Sequence, residues 1–347
     1  MKLFFSRRIR NLVLFILLTT EMSLASARRP FAQGARPLVT EVAAVGMTVA
    51  DMERSIDFYS HVLSFRKLSE SDQDSNEYQE LENVPGAKTK TVRMQLGSAV
   101  IELVHYSAPR GKPVPPDSKS NDLWFQHVAI VVSDMQKAYA LLEQNQVRGI
   151  SDGPQRLPRW NKEAADIEAY YFKDPDGHPL ELIHFPEGKG DRKWQEKGKG
   201  LFLGIDHTAI AASSTDESLR FYGLLGFQER GHSLNYGIEQ DRLSGVREAR
   251  VRITSLRPSS GPGIELLDYQ NPRTGRPAPP DERANDLVHH QTVLVTRDLR
   301  GAIDKLCAAR IIFVSAGGSC NAPATWESRS RVLVRDPDGH VMELVEK

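Results

Sequence analysis

Cysteine is almost missing from this chain: there are two among 347 residues, Cys307 and Cys320. That excludes a disulfide-stapled scaffold and a thiolate zinc cluster as the basis of the fold. Both cysteines lie in the C-terminal half, so a Cys307–Cys320 disulfide and two free thiols are both open. Net charge is missing as well, because 45 basic residues balance 45 acidic ones. No electrostatic case for a nucleic-acid partner follows, and none is expected. Long apolar runs are also lacking. The clearest, Leu12–Leu18, is too short for an ordinary transmembrane span. Lys2, Arg7, Arg8 and Arg10 precede or flank it, and Ala25-Ser26-Ala27 follows as a small-x-small cleavage pattern. Residues 1–27 therefore read as a signal peptide cut after Ala27, which predicts a secreted or periplasmic protein with no membrane span after cleavage. An uncleaved anchor is the alternative. A lipoprotein anchor is not expected, since no cysteine sits near the cut.

What the chain does contain is repetition. The pentapeptide Asp-Pro-Asp-Gly-His occurs at Asp174–His178 and again at Asp336–His340, about half a chain apart. Pro175 and Pro337 fix φ near the value a type I turn needs at its first corner, and Gly177 and Gly339 supply the position that tolerates positive φ. Apolar segments flank both copies, so each is a predicted β-hairpin. The strand leaving the turn carries Glu181 in the first copy and Glu343 in the second. These are either solvated strand residues or carboxylates presented to a site.

Other segments recur between the halves. Ser55-Ile-Asp-Phe-Tyr59 matches Ser218-Leu-Arg-Phe-Tyr222, and Ile101-Glu-Leu-Val-His-Tyr106 matches Ile264-Glu-Leu-Leu-Asp-Tyr269. Pro113-Val-Pro-Pro-Asp with Asn121-Asp-Leu matches Pro277-Ala-Pro-Pro-Asp with Asn285-Asp-Leu. A long internal period means duplication. Each half divides again: a strand, a helix, then short strands. Asp51 is placed to cap a helix that buries Ile56, Tyr59, Val62 and Leu63. Ser133…Gln136 and Ser214…Glu217 are capping-box patterns. Length suits two domains of roughly 150 residues, expected at 38–186 and 201–347 with residues 187–200 as a Gly- and Lys-rich linker. The fold class is α+β: four βαβββ modules, with the proline-rich stretches 109–116 and 272–280 joining modules within each half.

This pattern resembles the vicinal oxygen chelate superfamily, which includes glyoxalase I, methylmalonyl-CoA epimerase, extradiol dioxygenases and bleomycin or fosfomycin resistance proteins. The resemblance covers residues 38–347. It implies modules paired into two half-barrels, each curled around one divalent metal ion. The ligands would be His, Gln or Glu on the first and last strand of each module. In the second half, His207, Glu265 and Glu343 fit this pattern. The fourth ligand is Gln291 in an ungapped register, with His290 or His289 as fallback. Strand alternation puts His289 and Gln291 on one face and His290 on the other. In the first half Glu102, His127 and Glu181 fit, but the remaining position is Ala44, which cannot bind metal.

The resemblance implies bidentate binding of vicinal substrate oxygens by zinc, nickel, iron(II) or manganese, with a carboxylate, Glu343 or Glu265, moving a proton next to a carbonyl. The expected activity is that of an exported lyase or isomerase of glyoxalase or epimerase type acting on a small molecule. A second reading is an iron(II) extradiol dioxygenase using His207, His290 and Glu343. A third is a non-catalytic binding or resistance protein.

Overall fold

A computed structural model describes residues 37–196, 198, 200–315 and 330–347. The expected signal peptide, residues 1–27, and Cys320 lie outside the described residues. The first module runs β1 (Val39–Thr48), α1 (Met52–Asp57) with a π-helical continuation Phe58–Val62, β2 (Arg66–Gln73), α2 (Asn76–Glu82), β3 (Lys88–Leu96) and β4 (Ala99–Ala108). The second runs β5 (Gln126–Val132), α3 (Met135–Gln144), β6 (Gln155–Arg156), β7 (Glu168–Lys173) and β8 (Pro179–His184). The third runs β9 (Phe202–Ala211), α4 (Thr215–Leu225), β10 (Gln228–Tyr236), α5 (Ile238–Ser244), β11 (Arg250–Arg257) and β12 (Gly263–Asn271). The fourth runs β13 (His290–Thr296), α6 (Leu299–Ala308), β14 (Ile312–Phe313), β15 (Arg331–Arg335) and β16 (Val341–Glu346). No described helix is long and apolar enough to cross a membrane.

Local chemistry accounts for the helix starts. Asp51 accepts from the Arg54 amide and Ser214 from the Glu217 amide, as their spacing predicts. The second module departs from expectation by one residue. Asp134, not Ser133, caps α3 by accepting from the Lys137 amide, while the Ser133 hydroxyl donates to the Gly200 carbonyl. Two short helices, α2 and α5, are additions to the expected βαβββ plan.

The larger departure lies in how modules combine. The two modules of one sequence half do not share a sheet. One eight-stranded sheet has the order β14-β15-β16-β13-β1-β4-β3-β2 and joins the first module to the fourth; the other, β10-β11-β12-β9-β5-β8-β7-β6, joins the third to the second. Antiparallel pairing of β1 with β13 and of β5 with β9 closes the two sheets at their centres. The exchange runs through the proline-rich connectors, which cross each other. The Leu287 amide donates to the Lys112 carbonyl at 2.8 Å, and the Leu123 amide donates to the Arg276 carbonyl at 2.8 Å. Gly111 and Gly275 are required there: a Cβ would fall 1.9 Å from the Asn285 carbonyl oxygen and 1.7 Å from that of Asn121.

The two largest apolar cores follow the sequence halves instead. One cluster packs Tyr59, Leu63, Ile101 and Leu103 of the first module against Ile130, Leu142 and Phe172 of the second. Another packs Phe221 and Tyr222 of the third against Leu299, Leu306 and Leu344 of the fourth. Sheets thus tie the halves together, and helices tie together the modules within each half.

The repeated turn supplies a polar rivet in each half. Asp174 accepts from the Asp176 and His178 amides, and Gly177 takes φ +96. Its other carboxylate oxygen receives the Tyr59 hydroxyl at 3.1 Å and contacts His178 Nδ1 at 2.7 Å. Tyr222 donates to Asp336 at 3.1 Å in the second copy. The Tyr of the repeated helix and the first Asp of the repeated turn are therefore bonding partners. His178 and His340 are buried structural residues whose Nε2 atoms meet the carbonyls of Leu287 and Ala211.

Candidate metal centre

Strands β12, β9, β5 and β8 lie side by side in the second sheet, and each contributes one ligand-type residue to a shared face. Register explains the convergence. Ala129 of β5 stands opposite His207 of β9 and beside Glu181 of β8, while His127 stands opposite Ala209, which lies beside Glu265 of β12. Residues two apart on a strand share a face, so His127, Glu181, His207 and Glu265 project together.

The distances are short. Glu181 Oε2 lies 3.1 Å from His127 Nε2 and 3.5 Å from His207 Nε2. His207 Nε2 lies 3.5 Å from Glu265 Oε2. Among the described residues, His127, Glu181 and His207 form the one group whose ligand atoms all fall within 4.8 Å of one another. His127 is 1% exposed, yet neither of its ring nitrogens has a hydrogen-bond partner, despite the carboxylate nearby. Buried imidazole nitrogens are seldom left so, and a cation held between these groups would satisfy them. The residues present fit a divalent metal.

A supporting shell is built behind them. His207 Nδ1 contacts Asp206 Oδ2 at 3.0 Å, which directs Nε2 toward the cluster. Asp206 in turn accepts from Arg257 Nη2 at 2.6 Å and from the Trp194 indole at 2.9 Å. Trp194 comes from the 3-10 turn Arg192–Gln195 in the linker. Burial opposes ionisation throughout, but opposite charges win. The Glu265 and Asp206 carboxylates push the His207 imidazole up to about 10, against burial. The two imidazoles hold Glu181 at about 2, again against burial. Asp206, Arg257 and Trp194 escaped the sequence reading; the acid directly before His207 was the available signal.

The other expected residues meet in the first sheet, in the order β16, β13, β1, β4. Here Ala44 takes the place of His207, Gln291 that of His127, Glu343 that of Glu181 and Glu102 that of Glu265. The ligand set expected for the second half is therefore divided: His207 and Glu265 lie in one sheet, Gln291 and Glu343 in the other. Likewise His127 and Glu181 are parted from Glu102. The physical reason is the crossed connectors, which give each half-barrel one module from each half.

This second set does not fit a metal. Glu343 is fully buried and is bonded by Arg331 Nε and by Gln291 Nε2, the latter at 2.7 Å. Arg93 Nε lies 3.2 Å from Glu102. Two guanidinium groups thus hold the carboxylates that an ion would need. Their counterparts at the other centre are Ser255 and Ala169, which carry no charge. Burial and the Glu343 charge also push buried Glu82 up to about 7. His289 joins the same network, 2.6 Å from Glu282 and 3.3 Å from Gln291. His290 faces away, its ring 5.2 Å from that of His178. Tyr106 and Tyr269 are packed in apolar clusters.

The His127–Glu181–His207 cluster opens onto a cavity of about 240 Å³, walled by apolar Leu157, Tyr171 and Ile183 and by polar His232, Asn235 and Arg257. The segment around β10 and α5 helps to shape it through His232, Asn235 and Leu243.

The Glyoxalase/Bleomycin resistance protein/Dioxygenase superfamily matches the chain twice, over residues 41–182 and 204–344. The chain belongs to this superfamily. Among solved structures, glyoxalase I from Zea mays is similar with a TM-score of 0.56 and 14% identity, covering 88% of this chain and 92% of that one. A putative dioxygenase from Bacillus subtilis subsp. subtilis str. 168 is similar with a TM-score of 0.51 and 13% identity, covering 90% of this chain and 86% of that one. At such identity the likeness is one of fold. No curated protein matches the chain.

Proposed function

We propose that the protein is an exported, metal-dependent enzyme of glyoxalase or epimerase type, a lyase or isomerase acting on a small molecule with vicinal oxygens. His127, Glu181, His207 and Glu265 would hold one divalent ion. The observation that carries this reading is the convergence of the ligand atoms of buried His127, Glu181 and His207 within 4.8 Å of one another, with Glu265 3.5 Å from His207. Two imidazoles and two carboxylates suit zinc, nickel, iron(II) or manganese. When bound, the ion would polarise substrate oxygens as a Lewis acid.

The chain's own groups divide the remaining work. Glu265 has a side chain 21% exposed, whereas that of Glu181 is 6% exposed between the imidazoles. Glu265 is therefore assigned the proton transfer next to the substrate carbonyl, and Glu181 the constant negative charge of the site. Asp206 holds the His207 ring in place. The cavity is small for a drug-sized ligand and suits a compact metabolite. Export, implied by residues 1–27, would place the enzyme where thiol cofactors such as glutathione are scarce. That disfavours a glutathione-linked substrate.

Elemental analysis of the purified mature protein is expected to find one equivalent of metal, and chelation is expected to abolish turnover. A fully active chelated enzyme would overturn the reading. A dioxygenase is the second reading. The set first considered, His207, His290 and Glu343, is split between sheets, but His127, His207 and Glu181 themselves form two imidazoles and one carboxylate. Oxygen uptake with a catechol by an iron-loaded protein would favour it. Tight small-molecule binding by a metal-free, inactive protein would instead favour a binding role.

A further inference from the structure

A second cavity, also of about 240 Å³, shares no lining residue with the one at the metal centre. It lies against the first Asp-Pro-Asp-Gly-His turn, at Gly177 and His178. Trp124, Phe125, Val114 and Ile150 give it an apolar body, and Lys119, Arg148 and Lys173 line it without any acidic residue. None of these three cations forms an ion pair among the described residues. Lys173 is half-buried, and burial together with Arg148 lowers its pKa, the mark of a cation lacking a counter-charge.

The internal repeat provides a control. The second turn, at Gly339 and His340, has a corresponding space of only about 30 Å³. There Arg335 stands where Lys173 stands, directly before the turn, and Glu282 stands where Ser118 stands in the repeated proline-rich connector. Glu282 contacts Arg335 at 2.6 Å and His289, the counterpart of Phe125, at 2.6 Å. In the closed copy an internal carboxylate neutralises the cation. In the open copy that carboxylate is replaced by a serine hydroxyl, the histidine by an apolar ring, and the space is vacated.

We propose that this cavity binds a small carboxylate on a compact aromatic or apolar body, its carboxylate taking the place that the Glu282 side chain fills in the twin. Lys173 and Arg148 are the counter-ions, and Trp124 and Phe125 flank the body. Buried His290 also lines the cavity, and its Nε2 has no partner, so it adds a polar contact for the ligand. Phe125 links the site to the metal centre, since its ring packs 5.6 Å from that of His127.

Calorimetric titration of the full chain with benzoate, and with benzamide as its uncharged counterpart, tests the proposal. Benzoate is expected to bind with one-to-one stoichiometry, and benzamide at least about tenfold more weakly. Lys173→Met is expected to weaken benzoate by about tenfold. Ser118→Glu is expected to abolish binding, because it rebuilds the closed copy's carboxylate, with an unchanged thermal melt showing an intact fold. Glu265→Gln, which alters the candidate metal centre without touching a lining residue of this cavity, is expected to leave benzoate binding unchanged. Absence of benzoate binding at millimolar concentration would overturn the proposal. So would binding at the unmodified protein's affinity by both Ser118→Glu and Lys173→Met, or loss of binding in Glu265→Gln.

Discussion

The two half-barrels share one backbone plan and differ in what neutralises their carboxylates. In the second sheet, Glu181 and Glu265 face two imidazoles, and His127 is left without a hydrogen-bond partner. In the first sheet, Glu343 and Glu102 face Arg331 and Arg93, while Ala44 and Gln291 stand where the imidazoles would be. A guanidinium is a cation that the chain carries itself, so the first sheet's charge is balanced without an ion. The comparison teaches that counting carboxylates does not identify a metal site; what decides is whether the cation is covalent or must be recruited.

The sharpest break in this comparison is His127→Ala. It is expected to lower metal affinity and turnover by more than about 100-fold, beyond the loss typical of a supporting residue. Glu343→Gln should leave metal content at one equivalent and cost only stability; loss of metal in Glu343→Gln would reverse the assignment. The reciprocal experiment builds the missing site. Ala44→His, Gln291→His and Arg331→Met together are expected to raise bound metal from one equivalent to two, read by elemental analysis. Asp206→Asn should weaken metal binding by about 10–100-fold, and it should also lower the melting temperature, because Arg257 loses its buried counter-charge.

The smallest effect concerns Glu82. Its folded pKa of about 7 lies above the ordinary 4.5, so the unfolded chain ionises first as pH rises. This group therefore costs stability progressively from pH 4.5 up to about 7, and the cost is full above that. Glu82→Gln is expected to stabilise the protein at neutral pH by at most about 3 kcal/mol, with the gain vanishing in acid. Equal gains at both pH values would show that Glu82 is already paired.

Much of the site was legible because local rules carry it. The spacing from each turn to Glu181 and Glu343 is set by a hairpin, and hairpin register depends on neighbouring residues alone. The ungapped match of His127 with Gln291 follows from their equal spacing after Asn121-Asp-Leu and Asn285-Asp-Leu, and the opposite facing of His290 from strand alternation. What stayed hidden depends on contacts between distant segments. Asp206 acquires its role from Trp194 and Arg257, and Arg331 becomes an internal cation only because β15 lies beside β16.

The sequence by itself determined the duplication, the four modules, the two hairpins and the residue types able to hold a metal, since each rests on short-range pattern and turn chemistry. Only the tertiary structure decided which modules meet. Two equivalent halves offer the same strand edges whether neighbours pair or exchange, so pattern cannot choose between the two arrangements. The crossed connectors, with Gly111 and Gly275 fitted against each other's carbonyls, make the choice. That choice gathers two imidazoles and two carboxylates into one half-barrel and leaves arginines in the other.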